Sequence, residues 1–174
     1  MLTLRPPTAA DETALRRMHE QLAVEGFDLL LAQGSWEEIL AQVRREADGS
    51  DLPPGRVRAD FLVAEAEGTP VGRVSIRHEV TPFLREVGGH VGYAVAPPFR
   101  RRGHATEILR QSVERLRGLG VGDVLVTCDD DNVGSARAIE RCGGVLADLR
   151  TPPGGGMPKR RYWIPAPVVP LRRR

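Results

Sequence analysis

His90-Val-Gly-Tyr-Ala-Val-Ala-Pro-Pro-Phe-Arg-Arg-Arg-Gly-His-Ala-Thr106 decides the reading of this chain. Residues 90–96 read as a strand that Pro97-Pro98 stops, and the arginine-rich loop then opens straight into a helix running from Gly103 to about Arg117. Ala105, Ile108, Leu109, Ser112, Val113 and Leu116 line one face of that helix. The first N–H groups of a helix have no internal partners, and the helix dipole adds about half a positive charge at that end. Gly103 lets the backbone approach an anion closely, while Arg100, Arg101 and Arg102 add charge and donors. The physical expectation is a diphosphate-binding loop. It is not a Walker loop, because no Gly-Lys-Ser/Thr follows, and Gly-x-Gly-x-x-Gly is missing at this strand–helix junction.

Downstream, Val124-Leu-Val-Thr-Cys128 is a continuous apolar run, the mark of a strand buried on both faces and typical of parallel pairing. Asn132 suits the N-cap of a helix that ends at Gly143-Gly144. Two last strands, 145–149 and 161–164, flank a turn at Gly154-Gly-Gly156. Upstream, residues 2–5 read as a strand ended by Pro6-Pro7. Thr8 and Asp11 have capping-box spacing before a helix carrying Leu15, Met18 and Leu22. Ser35 and Glu38 repeat that spacing before Trp36, Ile39, Leu40 and Val43, and a Gly49–Gly55 loop follows. Residues 60–66 and 71–77 form a hairpin across Glu67-Gly68-Thr69-Pro70, and 78–89 is a loop. An antiparallel half followed by strand–helix–strand–helix–strand predicts a mixed α/β sheet flanked by helices. The expected organisation is one domain over residues 1–164 and a Pro/Arg-rich, poorly ordered tail over 165–174.

Composition narrows the classes. The chain has 174 residues, with 25 basic and 23 acidic side chains for a net charge of +2, and Lys159 is its one lysine. So small a net charge argues against a general nucleic-acid binder, and the arginine cluster lacks interleaved aromatics. No apolar run approaches the ~20 residues of a membrane-spanning helix, and the N-terminus lacks a secretory pattern. Cys128 and Cys142 are too few for a disulfide framework and fit a reducing cytoplasm. His19, His78, His90 and His104 show no metal-ligand spacing, so no metal is expected.

The loop also matches Arg/Gln-x-x-Gly-x-Gly/Ala at Arg100, Gly103 and Ala105. Between a Tyr-Ala-Val strand and an amphipathic helix, this pattern resembles the GCN5-related N-acetyltransferase (GNAT) superfamily. The likeness extends through 124–128, Asn132 and Ala-Ile-Glu-Arg-Cys-Gly-Gly at 138–144. It is similar to a branch of bacterial predicted acetyltransferases with counterparts of Ile76-Arg-His-Glu79, Gly88-Gly-His-Val-Gly-Tyr93 and Arg160-Arg-Tyr-Trp163. The resemblance implies a central parallel strand pair that splays, with acetyl-CoA as donor. The pyrophosphate would lie on Arg101, Arg102, Gly103, His104, Ala105 and Thr106, beside Arg100. Pantetheine would pair with Tyr93 and Val95, with Asn132 and Ser135 reaching it. A small-molecule or peptide amine would attack directly in a ternary complex, and a homodimer is compatible with the family.

The backbone N–H of Val95 is the expected oxyanion donor. His90 stands where the resemblance often places a glutamate base; it is either that base or a strand-edge histidine with no chemical task. The family's acid tyrosine would fall at Ile139, which leaves Tyr93, Tyr162 or water. Its absence keeps a non-catalytic acyl-CoA-binding module as the alternative. Cys128 is either a nucleophile or a packing residue, and Asp129-Asp-Asp131 either binds a cation, steers a basic substrate or is a solvated helix start. Met18, Phe27 and Trp36 are core or line the acceptor pocket, and Arg172-Arg-Arg174 is a solvated tail.

Overall fold

The computed structural model describes residues 1–167, so the expectations for Pro170 and Arg172-Arg-Arg174 lie outside the described residues. Seven strands form one sheet: β1 Leu2–Arg5, β2 Ala59–Ala66, β3 Thr69–Arg77, β4 Val91–Val95, β5 Val124–Asp129, β6 Val145–Arg150 and β7 Lys159–Ile164. Their spatial order is β1-β2-β3-β4-β5-β7-β6. Every neighbouring pair is antiparallel except β4 and β5, which run parallel and meet in register only at Val91 and Val126. The expected splay is therefore present.

Five α-helices cover the sheet: α1 Glu12–Ala23, α2 Trp36–Asp48, α3 Pro82–Val87, α4 His104–Gly118 and α5 Val133–Arg141. One face buries Ile108, Leu109, Leu116 and Ile139 of α4 and α5 against Val74 and Val126. The other buries Leu15, Met18, Trp36 and Ile39 of α1 and α2 against Phe61 and Ala94. Met18 and Trp36 are thus core, as their helical spacing allows. Both capping boxes form; at the second, Glu38 N donates to Ser35 Oγ at 3.3 Å while Ser35 N donates to Glu38 Oε2 at 2.7 Å.

Two stretches differ from expectation. The 78–89 stretch contains α3, whose Thr81 hydroxyl accepts from Leu84 N at 3.2 Å and whose first residue is proline. Six residues are too few to display a helical apolar period, which hides this helix in the sequence. The start of the tail is tied down: Ala166 N donates to Asp123 Oδ1 at 2.9 Å, and Arg117 Nη2 to Pro165 O at 2.9 Å.

A buried ion pair fixes the first strand to the first helix. Asp11, its side chain 4% exposed, accepts from Arg5 Nη1 and Nη2 at 2.8 and 2.7 Å and from Thr8 N at 2.7 Å. The Arg5 hydrogen bonds, outweighing desolvation, hold its carboxyl down at about 2 against 3.8 for a free side chain. A carboxylate whose folded pKa is depressed stabilises the protein fully above its unfolded value and loses that contribution as pH falls through the folded value. The shift corresponds to about 2 kcal/mol. Asp11→Asn should therefore cost about 2 kcal/mol in urea unfolding at neutral pH, with the difference from wild type shrinking to roughly half near pH 3. A difference that does not vary with pH would mean that packing, not charge, holds the corner.

Candidate active site

The ladder between β3 and β4 determines which backbone groups are free. Arg77 N donates to His90 O at 2.7 Å and Ala96 N to Val71 O at 2.9 Å. Alternation along an antiparallel pair then turns the even-numbered residues of β4 toward β3, and Val91, Tyr93 and Val95 toward β5. Because β5 leaves after Val126, Tyr93 and Val95 face a slit rather than a partner strand. Arg100 Nε takes the Val95 carbonyl at 3.0 Å, so Val95 offers its N–H.

At the mouth of the slit, Arg101 and Gly103 adopt left-handed conformations, with φ of 61° and 82°. Gly103 caps α4 without any side-chain bond, and Glu107 N is the first α4 donor to find a carbonyl, that of Gly103 at 3.1 Å. The N–H groups of His104, Ala105 and Thr106 are therefore left for a ligand, in a concave turn of the kind that binds anions. A cavity of about 710 Å³ opens beside this cradle, between Phe99, Arg102 and His104 on one side and Leu2, Glu67 and Thr69 on the other.

The three arginines divide. Arg101 and Arg102 stand at the cradle, with Arg102 over the Phe99 ring at 5.8 Å. Arg100 points away: its guanidinium forms a two-point pair with Glu25, at 3.0 and 2.7 Å, in the loop after α1. Its charge is spent on tying the end of β4 to that loop. No sequence signal marks a pair 75 residues apart.

Across the slit, Asn132 Oδ1 accepts from Ser135 N at 3.0 Å, the expected cap. Ser135 Oγ donates to the Tyr93 hydroxyl at 3.0 Å, bridging β4 to α5. Burial pushes the Tyr93 hydroxyl up to about 12. Ile139 is fully buried, so that position presents nothing to the slit, and Tyr162, equally buried, directs its hydroxyl to Glu140 at 3.3 Å. Cys128 is 7% exposed and burial raises its thiol to about 11, the environment of a packing cysteine.

His90, by sequence either a base or a strand-edge histidine, has its ring engaged by the backbone of β5. The residue is 5% exposed, and its Nδ1 accepts from Leu125 N at 2.9 Å while its backbone N–H donates to Leu125 O at 2.7 Å. The ring completes the joint between β4 and β5 below the slit. Burial lowers its pKa, which keeps it neutral, as an acceptor must be. With Nδ1 engaged, Nε2 carries the proton, and no lone pair is left for a substrate. Two of the three residues of the acidic run are likewise occupied. Asp129 pairs with Lys159, and Asp130 accepts from Arg160 Nε at 2.7 Å, so the β5–α5 loop is latched to β7. Among the described residues no His/Cys/Asp/Glu group could hold a metal ion, and no helix is long and apolar enough to cross a membrane.

An uncapped helix start beside a splayed parallel pair agrees with an independent match: the acetyltransferase (GNAT) domain family covers residues 1–145. The chain belongs to the GNAT acetyltransferase family. Like other GNAT proteins it is an N-acetyltransferase. Solved GNAT structures share the fold. Mycobacterium smegmatis RimJ in complex with CoA-disulfide is 22% identical, with 98% of this chain and 84% of that chain covered and a TM-score of 0.75. YncA from Salmonella typhimurium, a putative acetyltransferase solved with acetyl-CoA, is 17% identical over 99% and 98% of the chains, with a TM-score of 0.67. A putative ribosomal-protein-serine acetyltransferase from Vibrio cholerae is 19% identical over 94% and 93%, with a TM-score of 0.66. No curated protein matches the sequence.

Proposed function

We propose that this protein transfers the acetyl group of acetyl-CoA to a primary amine of a small molecule or peptide, by direct attack within a ternary complex. The observation that carries the reading is the open edge of β4, continuous with the uncapped start of α4. The N–H groups of residues 101–106, with Arg101 and Arg102, receive the pyrophosphate. The adjacent cavity leaves room for the nucleotide end. Pantetheine entering from the α4 end passes Val95 first, whose N–H pairs with an amide of the arm. The thioester, at the far end of the arm, reaches Tyr93, whose N–H is better placed than that of Val95 to polarise the carbonyl. Asn132 and Ser135 form the opposite wall.

The acceptor nitrogen then forms the C–N bond as the C–S bond breaks, and its surplus proton is lost to water or to the departing sulfur. Burial, which raises the Tyr93 phenol, disfavours the loss of its proton to a thiolate. Held by Ser135, the Tyr93 hydroxyl instead donates a hydrogen bond to the sulfur and keeps its proton. Calorimetry of the full chain should show one CoA site, and thiol release should exceed the hydrolysis background with some members of an amine panel. CoA binding without release from any acceptor class is the result expected of a non-catalytic acyl-CoA-binding module. Absence of CoA binding overturns the reading altogether.

A further inference from the structure

The face of the sheet away from α4 and α5 carries charge that the cofactor leaves unused. Arg73, Ser75 and Arg77 alternate along β3 and point to that face, opposite Ala94 and Gly92 of β4 and His90 just before it. Gly92 lies directly after Val91, where β4 and β5 part, so it marks the apex of the slit. It has no side chain and remains partly open to solvent in the middle of a seven-stranded sheet, which makes it the floor of a hollow. A Cβ at Gly92 would meet only the Arg77 guanidinium, at 3.7 and 3.8 Å.

Arg77 is tied by one nitrogen. Its Nη1 donates to Gly88 O and Gly89 O, each at 3.2 Å, which fixes the side chain in place. Among the described residues its Nε and Nη2 have no hydrogen-bond partner. That edge of a guanidinium presents two parallel N–H groups, matched to the two coplanar oxygens of a carboxylate. Arg73 closes one side of the hollow. Its three nitrogens donate to Leu29 O, Gly92 O and Asp28 O at 2.8 to 2.9 Å, and Phe27 stacks on it at 4.8 Å. The other charges felt here are Arg56 and Arg85, against Asp28 and Glu46, and among the described residues no carboxylate pairs with Arg73 or Arg77.

We propose that the hollow over Gly92 receives a carboxylate of the acceptor on the Nε–Nη2 edge of Arg77, so that the substrate is an amine with an acidic group only a few bonds away. The inference rests on the acetyl-transfer reading above, because it takes the acceptor to meet the thioester at Tyr93, one residue from Gly92. A free amino acid and the acidic first residue of a peptide both supply this chemistry. The surrounding arginines also disfavour a protonated amine, so they help keep the nucleophile neutral without a base residue.

The test uses matched acceptors with the full chain and acetyl-CoA, following thiol release. One arm compares free amino acids with their amides; the other compares peptides beginning with Asp or Glu with those beginning with Asn or Gln. At least a ten-fold advantage in kcat/KM for the carboxylate member is expected in one arm, which also identifies the source. Arg77→Gln should collapse that advantage mainly through KM, and Arg77→Lys should restore part of it, with CoA titration of each variant reporting that it is folded. Equal rates within every pair overturn the carboxylate site. So does release from none of the acidic acceptors while CoA binds normally; in both cases the cofactor reading stands. A variant that fails to fold leaves the wild-type comparison decisive.

Discussion

Gly103→Glu should weaken CoA binding at least 100-fold, measured by calorimetry, while the protein stays folded. A Cβ at Gly103 meets nothing within 4 Å, so packing is not disturbed. The first contribution is conformational: φ is 82°, and a non-glycine residue in the left-handed region costs about 1–2 kcal/mol. The second is electrostatic. A carboxylate about 4 Å from a diphosphate charge at a protein surface repels it by up to about 4 kcal/mol. A hundred-fold loss requires only about 2.7 kcal/mol. The two contributions separate with Gly103→Gln, which carries the left-handed cost and nearly the same bulk but no charge. That variant should retain affinity within about ten-fold. Wild-type affinity in Gly103→Glu would show that the start of α4 is not the diphosphate site.

What could be read in advance follows the range of the interactions involved. Both capping boxes, the Asn132 cap and the Gly103 helix start are hydrogen bonds between residues three or four apart, so residue types at fixed spacing reveal them. The apolar run of β5 shows its burial on both faces in the same way. The splay came from the resemblance, since no local signal says how far two parallel strands stay paired.

The contacts that sequence does not show depend on register and on distant partners. Arg100 looks like a third phosphate ligand until Glu25 is brought to it by the fold of α1. Asp129 and Asp130 look free until β7 lands beside β5. Arg77 looks like an ordinary strand-end arginine until pairing with β4 lays it over Gly92. The proposed acceptor side was the least legible part because its chemistry would be assembled from β3, β4 and the loops they carry, with no motif of its own.

His90→Ala should lower stability by about 3 kcal/mol and leave the shape of the pH–rate profile of acetyl transfer unchanged. The cost has two sources: an orphaned Leu125 N–H and the cavity left by a buried ring. His90→Asn separates structure from catalysis, because its side-chain oxygen can accept from Leu125 N as Nδ1 does, yet it cannot titrate. It should recover more than half of the lost stability and keep the wild-type profile. The wild-type protein adds a signature of its own. Burial depresses the folded pKa of His90, so its unfolded state binds protons more readily. Stability from this joint is full above about pH 6.5 and declines as pH falls below that value. Both variants should lose that dependence in urea titrations between pH 5 and 8. Loss of the acid limb of the rate profile in His90→Asn, with stability near wild type, would return His90 to the role of base. The opposite pattern makes it the pin that closes the β4–β5 joint beneath the slit.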